Sequence, residues 1–392
     1  MGVIVTYNVK LRATKEQIAR FEAVLAQARD AYNLCSQVVD SEKLAYSRVT
    51  IHNRCYDTLR TTFPLLSSQQ VIRVQCEVCS AYKSRRANKQ HGDIPQKRGL
   101  SMTLDKRLYN KLTPNSVCLT GTEDRHRTRY EFVPYERLSE MFSKFLPKDP
   151  SVFVRNGELF LSIPFDVPQK PLQGETCVGV DLGVRRLFVT SEGKSFVDKE
   201  YLKERRRLRY LKRCLQSKGT RSAKRHLSKV AHKERNLSKD MVERSTNALL
   251  CSSDASILIL EDLTKIKSKT SKTKEGFTRK RHNSALSQVP FYKFKERLTH
   301  KAARVGRQVQ TVSPAFTSQT DSRTNKRDGI RKGCIYLCSD GVILDADFNA
   351  AVNIAQKSNH PLSSTLVPLS GRVQSITQSS EAKGLIGKPI SL

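Results

Sequence analysis

The rhythm of hydrophobic and polar positions changes three times along the chain. Residues 3–12 (VIVTYNVKLR) alternate, which is the two-residue period of a half-buried strand. Thr14 to Gln17 then spells a capping box, with Gln17 three residues after the cap. Ile18, Phe21, Leu25, Ala28 and Tyr32 follow at helical spacing, so a helix is expected from 14 to about 40. A second helix is expected over 42–60. A third, over 67–88, starts at Ser67 or Ser68 and ends in a basic tip of Lys83, Arg85, Arg86 and Lys89.

From about 95 to 170 the pattern becomes short alternating runs between Gly, Pro and Asn, as in antiparallel strands. Asn156-Gly157, between VFVR and ELFLSIPF, is the strongest hairpin signal among them. These runs predict a small β unit that the strand at 3–12 joins, with the three helices inserted between its first and later strands.

The third texture opens at Cys177. CVGVDLG and SILILEDL are continuous apolar runs, the signature of strands buried on both faces. LFVTSEGKSFV between them reads as a hairpin, residues 200–250 as helix, 291–306 as helix and RQVQTVSP as a strand. VILDADFNAAVNIAQ reads as a strand or turn entering a helix. A Lys/Arg/Ser/Thr stretch at 264–284 reads as a mobile loop, and residues 358–392 as a disordered C-terminal tail.

Charge narrows the function. The 392 residues carry 70 Lys or Arg against 37 Asp or Glu, a formal charge of +33. Such a particle repels itself unless a polyanion offsets the field, and nucleic acid is the expected one. No stretch approaches the ~20 apolar residues of a spanning helix, so no membrane partner is expected. The N-terminus reads as neither a signal peptide nor a myristoylation site, and the ten cysteines read as reduced thiols. Basic residues are densest at 201–235, and the candidate nucleic-acid contacts there are Arg205, Arg206, Arg207, Arg209, Lys212, Arg213, Arg221, Lys224 and Arg225, with Lys83, Arg85, Arg86 and Lys89 at the earlier tip.

Three acids stand in similar settings. Asp181 ends CVGV, Glu261 ends ILIL, and Asp347 stands before FNAAVNIA. A carboxylate at the end of a buried strand is expensive unless paired or metal-bound. Three together suit hard divalent cations, and Mg²⁺ favours such oxygen-rich sites. On a strongly basic chain this points to two-metal phosphodiester hydrolysis.

GVDLGVRRLFVT, ILILEDLTKIK and DADFNAAVNIA together resemble the three acidic motifs of a RuvC-type, RNase H-like nuclease, and their wording resembles the TnpB family of insertion sequences, from which type V CRISPR effectors descend. PAFTSQTDSR resembles that family's lead-in to a zinc ribbon. The resemblance implies an α/β plus β fold: a β-barrel wedge domain over 1–12 and 91–172 with a helical recognition insertion at 13–90, and a RuvC-like nuclease domain over 173–310 and 342–357. Residues 311–341 would be a degenerate zinc-ribbon-like, target-nucleic-acid-binding insert. Asp181, Glu261 and Asp347 would be both catalytic acids and Mg²⁺ ligands. Asp345 is the rival of Asp347, which is preferred because the family's acid precedes Asn-Ala-Ala by two residues.

The ribbon departs from the family. Asp321 and Thr324 occupy the places of its first CxxC pair, and Leu337 and Asp340 those of its second. Cys334 and Cys338 are weak zinc candidates, so no zinc is expected. Cys76-Glu77-Val78-Cys79 reads as buried thiols on a helix. The resemblance implies a guide RNA and a double-stranded DNA target as partners, cleavage beside a short flanking motif, and residence in the bacterial cytosol and nucleoid, with a monomer favoured. Tyr56 and Gln75 are candidates near the motif-reading surface. Guided DNA binding without cleavage, an unguided RuvC-like nuclease and a transposase are the alternatives.

Overall fold

The structure is a computed structural model that describes residues 2–90, 92–120, 127–263 and 290–362, together with the backbone of 374–376. The stretch expected as a mobile loop and most of the expected tail lie outside the described residues. The chain divides into two units, Gly2–Val167 and the chain from Pro168 onward.

The first unit opens on strand β1 (Val3–Lys10) and helix α1 (Lys15–Ser41). The capping box is formed: Thr14 Oγ1 accepts from the Gln17 amide at 3.2 Å and Gln17 Oε1 accepts from the Thr14 amide at 2.9 Å. A turn through Lys43, at φ 49°, ends α1, so α2 runs over Arg48–Thr62 and starts later than the expected position 42. Helix α3 (Ser68–Ala87) carries a second capping box, between Ser67 and Gln70. The three helices bury Leu25, Cys35, Ile51, Cys55, Leu59, Val71, Val74 and Val78 against one another. Cys79 of the CxxC is buried on α3, and Cys76 is half-buried.

The strands that follow are β2 (Ser101–Thr103), β3 (Tyr109–Asn110), β4 (Ser116–Thr120), β5 (Arg127–Glu131), β6 (Ser151–Arg155) and β7 (Glu158–Val167). A helix the sequence pattern missed, α4 (Glu136–Lys144), lies between β5 and β6. Asn156 and Gly157, at φ 54° and 71°, form the two-residue turn joining β6 to β7. Instead of one ladder the strands form two, ordered β1-β7-β6-β2 and β3-β4-β5, and a bridge between Leu11 and Phe132 ties them.

The second unit is built on a sheet ordered β12-β11-β8-β9-β10-β16, comprising β8 (Cys177–Leu182), β9 (Phe188–Thr190), β10 (Lys194–Phe196), β11 (Ile257–Glu261), β12 (Gln308–Val312) and β16 (Gln374–Ile376). Strands β8, β11 and β12 are parallel, and β9 is antiparallel to both β8 and β10. The central strands are apolar on both faces because helices cover both. Val178, Val180, Leu258 and Leu260 pack toward helices α6 (Arg221–Ser252) and α7 (Phe291–Arg304). Cys177, Ile257 and Ile259 pack on the other face against α8 (Ala346–Gln356). Gly179 lies under α8: a Cβ there would meet the Ala351 carbonyl at 2.0 Å.

Helix α5 (Lys199–Lys218) turns through Gly219, at φ 62°, into α6. The pair forms a hairpin whose apolar seam is Leu208, Leu215, Ala223 and Val230. Between β12 and α8 lies a three-stranded antiparallel sheet, β13 (Ile330–Lys332), β14 (Ile335–Leu337) and β15 (Ile343–Asp345), centred on the fully buried Tyr336.

Candidate functional site

Strand register brings two of the three acids side by side. Val180 pairs with Leu260, so the next residues, Asp181 and Glu261, stand abreast. They share parity with Cys177, Gly179, Ile257 and Ile259, which places them on the face covered by α8. Asp347 sits in the first turn of α8, whose N-terminus favours negative charge. Asp345 caps the helix: its Oδ1 accepts from the amides of Asp347, at 3.1 Å, and Phe348, at 3.0 Å. The rival acid therefore holds the helix end, and Asp347 is the acid that acts on Asp181.

The electrostatics are those of crowded carboxylates. Burial, then Glu261, then Asp347 push the Asp181 carboxyl up to about 8, with Arg331 and the Leu182 amide working the other way. Burial also raises Glu261, against the Thr317 hydroxyl, Lys357 and Arg331. Two guanidinium groups hold Asp347. Arg186, from the β8–β9 turn, bonds Asp347 Oδ2 at 2.7 Å and also grips Asp345 at 2.8 and 2.9 Å. Arg331, on β13, bonds Asp347 Oδ1 at 2.8 Å.

Among the described residues no three Asp, Glu, His or Cys side chains already converge on one metal position. The donor chemistry nonetheless fits a hard divalent cation. The set is all carboxylate, and the Asp181 carboxyl is held far above the usual range by burial first and then by the other two acids. A cation shared by all three acids would take over charge that Arg186 and Arg331 now balance at Asp347.

The ribbon-like insert has a different centre. Arg323 bonds Asp321 at 2.7 and 3.2 Å and Asp340 at 2.9 Å through two nitrogens. Burial pushes the nearly inaccessible Asp321 carboxyl up, and Arg323 more than offsets it, leaving it below the ordinary carboxylate range. Burial and then Asp321 raise the neighbouring Cys338 thiol to about 11. Cys334 is exposed, its Sγ 3.9 Å from Arg185. With Leu337 offering no donor and both aspartates held by Arg323, these residues do not fit a tetrahedral zinc.

The basic candidates fall into two groups. At the tip of α3, Lys83, Arg86 and Lys89 are exposed, and Arg86 and Lys89 border an open depression with Tyr46 and Tyr82. The Arg85 guanidinium is instead taken up by the carbonyls of Gln90, Gly92 and Asp93. On the α5–α6 hairpin, Arg206, Arg207, Arg209, Arg213, Arg221, Lys224 and Arg225 are exposed. Arg205 lies 5.4 Å over the Tyr201 ring, and Lys212 bonds Glu234 at 3.1 Å. Tyr56 stacks obliquely on His52, which bonds the buried Gln75 at 3.0 Å. Arg186, Arg331, Thr317 and Lys357 were absent from the sequence expectations. Their acidic partners are 16 to 161 residues distant; Arg186 and Thr317 lie inside quoted motifs without being singled out there, and no local pattern marks Arg331 or Lys357.

Two family profiles match this chain. One, described as a probable transposase (OrfB_IS605), covers 161–272, and the other, a Cas12f1-like TNB domain, covers 291–354. Among curated relatives, TnpB-like protein L79 of Acanthamoeba polyphaga mimivirus is 22% identical over 361 residues, covering 79% of this chain and 69% of that protein. TnpB-like protein L770 of the same virus is 29% identical over 148 residues, covering 38% of this chain and 28% of its own length. Among solved structures, a chain of the Cas12f1–sgRNA–target DNA complex superposes with a TM-score of 0.61 at 13% identity, over 88% of this chain and 83% of that one. At that identity the likeness speaks for the fold.

Proposed function

We propose that this chain, which is similar to TnpB-like proteins in sequence and matches a transposase profile, is a member of that family and an RNA-guided DNA endonuclease of RuvC, RNase H-like type. One observation carries the reading: Asp181 and Glu261 stand side by side at the ends of the neighbouring parallel strands β8 and β11, on the face that α8 covers, and Asp347 of α8 stands near enough to help push Asp181 up to about 8. Asp181, Glu261 and Asp347 are the residues that would hold Mg²⁺, as two ions, which when bound supply Lewis-acid polarisation of the phosphodiester.

The rest follows from this chain's own side chains. The exposed arginines and lysines of the α5–α6 hairpin and the α3 tip would bind phosphates without reading sequence. Sequence would be read by pairing between a guide RNA and one strand of double-stranded DNA, beside a short flanking motif. The three-stranded insert would fold without zinc and deliver Arg331 to the acid cluster. The strands of the first unit would serve as the wedge, with α1–α3 as the recognition insertion.

The arginines on Asp347 favour one second reading, a guided DNA-binding protein that does not cleave. A single experiment separates the two. The protein is purified from cells carrying its own locus, the bound RNA is sequenced, and matching duplex DNA is offered with and without Mg²⁺. The nuclease reading expects one abundant RNA and Mg²⁺-dependent cuts, lost in D181A, E261A and D347A while RNA stays bound. Bound RNA and DNA without cuts would select the second reading. A smear of ribosomal and transfer RNA fragments would overturn the guide.

A further inference from the structure

The segment 314–319, Pro-Ala-Phe-Thr-Ser-Gln, does more than lead into the three-stranded insert. Four side chains of α8 and the residue after it hold the segment and its neighbours in place. Asn353 donates to the Thr317 carbonyl at 2.9 Å and the Thr320 carbonyl at 2.7 Å. Asn349 donates to the Thr320 carbonyl at 2.7 Å and accepts from the Ser322 amide at 2.9 Å. Gln356 donates to the Ser322 carbonyl at 2.9 Å. Lys357 donates to the carbonyls of Ser313, at 3.0 Å, and Ala315. Asn349 and Asn353 are buried, where an unmade bond is expensive, so the segment has one seat on the helix.

That seat presents one group to the acid cluster. Thr317 is 3% exposed, and its hydroxyl donates to Glu261 Oε1. The competing acceptor, the Pro314 carbonyl, is farther away at 3.3 Å. A glutamate at a strand end has three rotatable bonds and no reason of its own to choose one orientation. A hydroxyl donor also favours the ionised carboxylate.

We infer that Thr317 is the positioning residue of Glu261. It fixes one carboxylate oxygen and leaves Oε2 for a ligand, and α8 sets where Thr317 stands. A single helix thus orients two acids, Asp347 directly and Glu261 through Asn353 and Thr317. The effect on cleavage rests on the nuclease reading above. The contact itself does not.

The test begins with chelator-treated protein and a thermal double-mutant cycle of T317V, E261L and both together. Valine keeps the volume of threonine and loses the donor. T317V is expected to lower the melting temperature of the wild type and to have almost no effect in the E261L background. In Mg²⁺-limited cleavage, T317V is expected to lose about ten-fold in rate, the worth of one bond to a charged group. Raising Mg²⁺ should recover part of the loss, guide-RNA affinity should be unchanged, and T317S should stay near wild type. Additive melting shifts in the cycle would overturn the inference, as would a T317S variant as impaired as T317V. If the wild type does not cleave, the nuclease reading fails, and the thermal cycle still decides the role of Thr317.

Discussion

Replacing Gly179 by alanine tests how the acid cluster is assembled. The added Cβ would meet the Ala351 carbonyl at 2.0 Å, the Ala355 amide at 2.6 Å and the Ala355 Cβ at 2.9 Å. Two of the three obstacles are backbone, so no side-chain rotation relieves them. Ordinary contact, at 3.4 Å or more, requires α8 to withdraw by roughly 1.4 Å. Overpacking of this kind costs about 1–3 kcal/mol, and the rigid obstacle argues for the upper end. At ~2–4 °C per kcal/mol for a unit of this size, the melting temperature should fall by roughly 6–12 °C. The chemistry should suffer more than the stability, because α8 carries Asp347 and seats Thr317 while Gly179 lies two residues from Asp181. A misplacement near 1 Å is worth about 100-fold in rate. The assay pairs thermal unfolding with Mg²⁺-dependent cleavage at a temperature where the variant is fully folded. Gly99, whose added Cβ would meet nothing within 4 Å, supplies the neutral control as G99A. A G179A variant that melts and cleaves like wild type would refute the close seating of α8 on β8.

Other expectations concern charge. Asp181 in the metal-free fold binds a proton that the unfolded chain, titrating at its ordinary 3.8, has released, so stability should decline as pH rises from about 4 to about 8 and level off above. D181N in chelator should flatten that slope and gain most at pH 8–9; an unchanged slope in melting scans would count against the burial of Asp181. R323Q should loosen the three-stranded insert, seen as faster hydrogen exchange around Tyr336, while EDTA leaves the wild type unaffected; one equivalent of zinc in the purified protein would contradict this. R186A leaves Asp345 and Asp347 without their shared partner. With the pair partly solvated, the loss should be about 2 kcal/mol by denaturant unfolding, and a loss under about 0.5 kcal/mol would reduce the bridge to a surface contact.

What the sequence made legible was local. The capping box at Thr14 follows from residues three apart and the Asn156-Gly157 turn from two neighbours, whereas the second box, Ser67 with Gln70, was read only as a helix start at Ser67 or Ser68. The strands ending in Asp181 and Glu261 declared themselves by apolar runs, since burial on both faces leaves no alternation to misread. The later start of α2 was hidden because Lys43 turns the chain without a glycine to mark it. Helix α4 was missed because Leu138 and Met141 are its only buried anchors. The division of the early strands into two ladders depends on pairings such as Leu11 with Phe132, which no period encodes. The site was legible as acids and illegible as an arrangement. Asn349 and Asn353 were read only as part of a motif, and the backbone they bind lies about 30 residues earlier.

The spread of the acid cluster along the chain has a consequence for synthesis. The segment up to Val167 is contiguous and can fold as soon as it emerges. Asp181 and Glu261 can pair their strands next, yet the last carboxylate and the helix that orients its neighbour come only with residues 346–356. At ~5–20 residues per second, the nascent chain presents its basic surfaces for roughly 10–30 s before Asp347 is made. On the nuclease reading proposed above, a chain still on the ribosome can therefore collect its polyanion before its acid set is complete, and every truncation short of α8 is expected to bind without cutting.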